Sequence, residues 1–117
     1  MDEHDGFPDV CSFRDWLSYH GTDVVGVPDG GRTCPLACWL SEVEEVPCMV
    51  GVVTYGYVHE YEQYGTWAYV PVGRLPEWAI QFVHAVDCHA ADKVTGEVAL
   101  TLLYAACDQI GEVALYG

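Results

Sequence analysis

Cys34 and Cys38 stand one helical turn apart, and Cys34 falls where a helix is expected to begin. A helix N-terminus presents unpaired N–H groups and the positive end of the helix dipole. Both favour the thiolate, the form in which cysteine acts as nucleophile or metal ligand. His84 and Cys88 share a face of a second expected helix, with His89 beside them. If the two helices met, Cys34, Cys38, His84 and Cys88 would form a four-ligand zinc set. The two-residue spacing of thioredoxin-like and zinc-knuckle cysteine pairs is absent, however, and free cysteine commonly serves as a small buried apolar residue. These four are therefore metal candidates second to simple packing, and no cofactor is expected.

No other pattern supplies catalysis. The chain has no G-x-S-x-G, Walker loop, dinucleotide glycine fingerprint or H-E-x-x-H. Asp29-Gly30-Gly31-Arg32 precedes a helix, but one arginine, no lysine and a proline at position 35 make a poor phosphate cradle. Neighbouring carboxylates such as Glu44 with Glu45 and Glu60 with Glu62 arise by chance at this acidity. No catalytic residue is assigned.

The aromatic residues are more informative. Tyr55, Tyr57, Tyr61, Tyr64, Trp67 and Tyr69 crowd one short segment beside Glu60 and Glu62. Tyrosine and tryptophan give large contact areas at small entropic cost and are enriched in binding hot spots. Unbroken strand alternation would place Tyr55, Tyr57, His59 and Tyr61 on one face. Tyr57, Glu60, Tyr61, Glu62 and Tyr64 are therefore expected to bind a partner. Glu42, Glu44 and Glu45 join them, because they end a helix whose apolar side belongs to the core.

Charge indicates the kind of partner. Eighteen Asp and Glu face four Lys and Arg, a formal charge of −14 in 117 residues. Such a body is repelled by phosphate backbones and anionic membranes and attracted to basic protein surfaces. Direct nucleic-acid binding needs the opposite charge and is not expected. The expected function is a small acidic inhibitor of a nucleic-acid-binding protein or nuclease, acting by nucleic-acid mimicry in the manner of phage anti-restriction or anti-CRISPR proteins. A second reading is a non-mimic binding module, such as an adaptor, immunity protein, antitoxin or assembly subunit, that uses the tyrosine-rich hairpin. A third is a small thiol- or zinc-dependent enzyme. Solubility or a halophilic host would also account for the acidity.

An apolar content of 51% argues for a packed core rather than disorder. The acidic N-terminus is unlike a signal peptide, so a cytoplasmic location and reduced cysteines are expected. Residues 1–9 read as an acidic, mobile arm and residues 10–117 as one globular domain. The expected fold is α+β, with about four helices packed on a small antiparallel sheet centred on a hairpin over 48–72.

The elements follow from periodicity and breakers. Ser12-x-x-Asp15 predicts a short helix carrying Phe13, Trp16 and Leu17 and stopped by Gly21. Val24, Val25 and Val27 predict a brief strand. Thr33 or Cys34 caps a second helix with Leu36, Trp39, Leu40 and Val43 inward, and Pro47 stops it. Residues 49–54 alternate as one strand, Gly56 marks a bulge or bend, and a turn over 61–65 leads into a second strand. Pro76 opens a third helix with Trp78, Phe82, Ala85 and Val86 inward. Thr95 caps a fourth, from Val98 to about Asp108, whose only polar stripe is Glu97, Thr101 and Asp108. A tail strand is expected over 112–116.

Overall fold

The computed structural model describes residues 7–28, 30–88 and 92–111, and leaves aside the side chain of Glu62. The acidic arm through residue 6, Asp29, His89 and the expected tail strand lie outside the described residues. The elements run α1 (Val10–Tyr19), β1 (Val24–Gly26), α2 (Pro35–Glu44), β2 (Cys48–Val50), β3 (Thr54–Tyr61), β4 (Thr66–Arg74), α3 (Glu77–Cys88), β5 (Val94–Thr95) and α4 (Gly96–Ile110). A 3-10 turn at Glu62–Tyr64 joins β3 to β4. The fold is α+β, as the patterning predicts, with two small antiparallel sheets in the orders β1-β5 and β2-β3-β4.

Helix α4 packs against both α1 and α3, which fits its nearly all-round apolar sequence. Thr95 caps it by accepting a hydrogen bond from the Val98 amide at 3.3 Å. The helix begins at Gly96, two residues before the expected start, because the chain there passes close to the end of α1. The Gly96 amide donates to Asp23 and the Glu97 amide to Gly21. A Cβ at Gly96 would lie 2.5 Å from the Leu17 carbonyl oxygen, so glycine's low helix propensity is accepted for the close approach.

The core centres on Phe13, Trp39, Trp78, Phe82 and Leu103, all buried, with Leu102 half-buried at its margin. Phe13 lies 4.7 Å from Trp39 and 5.0 Å from Phe82, centroid to centroid. Phe7 already packs edge-on to Tyr55 at 4.8 Å and to Trp78 at 5.7 Å. No polar or charged side chain is buried among the described residues, so the acidity they carry is all at the surface.

Three local expectations are corrected. Helix α1 starts at Val10 with Asp9 as its N-cap residue, so Ser12 lies inside the first turn and does not cap it. Val43 is exposed, because the last turn of α2 runs beyond the core. That helix ends at Glu45, which takes the left-handed conformation (φ 60°) that helix ends usually give to glycine. Finally, residues 49–54 are not one strand. The Gly51 amide donates to the Thr54 carbonyl in a tight turn, and the Val53 carbonyl accepts from Leu75. The turn leaves Val52 79% exposed, so the valine run reads as strand in isolation but is bent by its tertiary hydrogen bonds.

Candidate functional site

Strand β3 is the middle strand of its sheet, and its pairing with β4 shifts register between Tyr55 and Gly56. Gly56 permits this bulge, since a Cβ there would collide with the Val70 carbonyl oxygen. The extra residue is Val72 on β4, skipped between Gly73 and Pro71, so alternation along β3 continues unbroken. Tyr55 is buried against Phe7 and the core, whereas Tyr57, His59 and Tyr61 further along the strand are exposed. In the unshifted pairing with β2, Tyr55 and Tyr57 oppose Val50 and Cys48, so Tyr55 does share their face, as unbroken alternation expects, and differs only in lying over the core.

Beyond the bulge the register is regular. Tyr57 pairs with Val70, His59 with Ala68 and Tyr61 with Thr66, and directly opposed residues share a face. The His59 and Tyr61 rings meet edge-on at 4.6 Å. Tyr64, in the 3-10 turn, is 73% exposed, and Val70 and Val72 are exposed on β4. Beyond Tyr55, which Phe7 covers, the hairpin thus offers exposed aromatic and aliphatic side chains.

The carboxylates expected to bind a partner point to different neighbours. Glu42 accepts a hydrogen bond from the Trp16 indole at 3.1 Å, which ties α2 to α1. Glu60 lies opposite Trp67 on the other face of the hairpin and binds Arg32 at 2.9 Å. The Arg32 guanidinium also stands 5.4 Å from the centroid of the Trp67 ring. Glu45 occupies the left-handed end of α2, and Glu62 opens the 3-10 turn.

Glu44 differs from the rest. It is half-buried and makes no side-chain hydrogen bond or ion pair among the described residues. It borders a groove of about 480 Å³ between the α2–β2 connection and the outer hairpin face, lined by Val46, Pro47, Tyr57, Val58, His59 and Val70. The sequence reading did not assign Val46, Pro47, His59 or Val70 to a site. Alternation carried through β4 would have indicated Val70, but the position of Val46 and Pro47 depends on the Val58 amide donating to the Pro47 carbonyl.

The cysteines do not form the anticipated constellation. Cys34 is the N-cap residue of α2, at the helix start where a thiolate would be favoured, but it is buried. Burial pushes its thiol up to about 11 and outweighs the lowering by the helix-start amides of Ala37 and Leu36. Burial, and then the Glu42 charge, also raise Cys38, whose thiol contacts the Thr33 carbonyl at 3.6 Å. His84 and Cys88 do lie together on the outer face of α3, with Nε2 and Sγ 3.9 Å apart. Among the described residues no three His, Cys, Asp or Glu approach closely enough to hold a metal ion. All six cysteines are free thiols.

No described helix is long and apolar enough to cross a membrane. No protein family, curated protein or solved structure matches this chain, so its functional reading rests on the open hairpin face and the groove beside it.

Proposed function

We propose that this protein is a small acidic binding protein that docks, through the outer face of β3 and β4, onto a basic surface of a nucleic-acid-handling protein and inhibits it by occupying that surface. The observation that carries this reading is the exposed stretch of the hairpin bearing Tyr57, Tyr61, Tyr64, Val70 and Val72. Exposed aliphatic and aromatic side chains gathered on one face characterise interaction sites, and tyrosines supply contact area with little entropy to lose. The formal charge of −14 selects a cationic partner and speeds encounter with it. Glu42 and Glu60 are engaged within the protein. This favours an interface dominated by the hairpin side chains over a row of carboxylates imitating phosphates.

Affinity capture from a lysate of the encoding organism, followed by mass spectrometry, tests this. Wild type is compared with a Tyr57→Ala, Tyr61→Ala, Tyr64→Ala variant and with Glu42→Lys. Wild type and Glu42→Lys should retain the same basic, nucleic-acid-binding protein, and the tyrosine variant should lose it. Undiminished capture by the tyrosine variant removes the hairpin face from consideration. If charge reversal at Glu42, Glu44 and Glu45 abolishes capture at low salt while the tyrosine variant binds normally, mimicry is the mechanism instead.

A further inference from the structure

We propose that the groove between the α2–β2 connection and the hairpin receives an arginine side chain from the basic partner, with Glu44 as its counter-ion. This rests on the docking face proposed above and names the residue type recognised there. Three properties of the groove point to a guanidinium on an apolar stem. Its floor is apolar, formed by Val46, Pro47, Val58 and Val70, and suits the methylene stem of a long cationic side chain. Its wall includes Tyr57, an aromatic surface over which a guanidinium can lie. Glu44 borders it, half withdrawn from water and without an ion pair among the described residues.

Several other surface carboxylates are engaged: Glu60 by Arg32, Asp15 by Arg14, Asp23 by His20 and Glu42 by Trp16. Glu44 is set among apolar side chains without such a partner. Among the described residues no lysine or arginine lines the groove, and its histidine, His59, forms no ion pair with Glu44, so a permanent cation would come from outside. A second copy of this chain is a poor source, because it would bring −14 against −14. The planar, weakly hydrated guanidinium suits a carboxylate beside an aromatic ring better than a compact, strongly hydrated ammonium does.

The test is an NMR titration of 15N-labelled protein with three acetylated, amidated tripeptides, Gly-Arg-Gly, Gly-Lys-Gly and Gly-citrulline-Gly. Citrulline keeps the shape of arginine and removes the charge. The arginine peptide should shift the amides of Val46, Tyr57, His59 and Val70 saturably, and the citrulline peptide should not. Glu44→Gln should weaken the arginine response roughly three- to ten-fold, and its own spectrum reports whether the fold is kept. Thr101→Ala, on the exposed stripe of α4 far from the hairpin in the chain, should leave the titration unchanged. The assignment is overturned if citrulline or lysine binds as well as arginine, if Glu44→Gln has no effect, or if the shifts centre elsewhere. Shifts of the same amides with protein concentration alone would make a second copy the occupant and also overturn it. Loss of the arginine response would not affect the capture experiment, so the two readings fail separately.

Discussion

Replacing Gly56 with alanine tests whether the close approach of β4 at the bulge requires glycine. A Cβ there would collide with the Val70 carbonyl oxygen and lie 2.8 Å from both Pro71 Cα and Tyr69 Cε1, where ordinary contacts begin at 3.4 Å. Strand β4 would have to move away by roughly 0.6 Å or more. Two of the three obstacles are backbone atoms, so a rotamer change cannot relieve them. Overpacking generally costs about 1–3 kcal/mol. The clash strikes the β3–β4 ladder itself, so the expected loss is about 2–3 kcal/mol, with a melting midpoint lowered by roughly 8–15 °C. Urea and thermal unfolding measure this, and near-UV circular dichroism follows the tyrosines. Gly65→Ala is the control: nothing lies within 4 Å of its Cβ, but its φ of 64° makes the backbone alone unfavourable, by about 1 kcal/mol. A loss at Gly56 below about 0.5 kcal/mol, or no larger than that at Gly65, would refute that requirement.

Leu103→Ala, at a fully buried position, should destabilise by about 2–5 kcal/mol. Thr101→Ala on the exposed stripe of the same helix should change stability by under about 0.5 kcal/mol; equal losses in urea unfolding would contradict the orientation of α4. Glu45→Gly should raise stability by about 1 kcal/mol, because glycine takes the φ of 60° freely, and a lower melting midpoint would contradict the left-handed helix end. The Cys34 thiol, held up to about 11 by burial, should be thiolate in only about one molecule in a thousand at pH 8. Since the thiolate is the reactive form, its labelling should rise only as pH approaches that value. Iodoacetamide mapping by mass spectrometry should find exposed Cys88 modified first, and fast labelling of folded Cys34 at pH 8 would contradict the burial argument.

Much of the fold was legible because periodicity and capping are local. Leu36, Trp39 and Leu40 at helical spacing, Thr95 as cap, and Trp78 with Phe82 on one face of α3 lie where pattern alone put them. Gly56 signalled a bulge, since an isolated glycine in a strand marks a bend or a close backbone approach. Other features were settled by contacts between residues distant in sequence. The valine run at 52–53 becomes a turn because Leu75 binds the Val53 carbonyl, and α4 starts early because the end of α1 reaches it. The thiol of Cys34 is governed by the burial that packing imposes, and not by the helix start that the sequence displays.

The site divides in the same way. Sequence by itself determined the acidity, the aromatic content of the hairpin and the presence of Tyr57, Tyr61 and Tyr64 in it. Which hairpin tyrosines stay exposed depended on how far the core reaches along the strand: Phe7 covers Tyr55, while Tyr57 and Tyr61 lie beyond it, and alternation names a face without showing where its cover ends. Whether a carboxylate is available also depended on tertiary structure. Glu42, Glu44 and Glu60 are indistinguishable as charges in the sequence. Trp16 engages the first, Arg32 engages the last, and Glu44 is half-buried beside the groove with no ionic partner among the described residues. Composition sets how much charge a chain carries, but only the packing of distant elements decides which of those charges are already satisfied and which remain to attract a ligand.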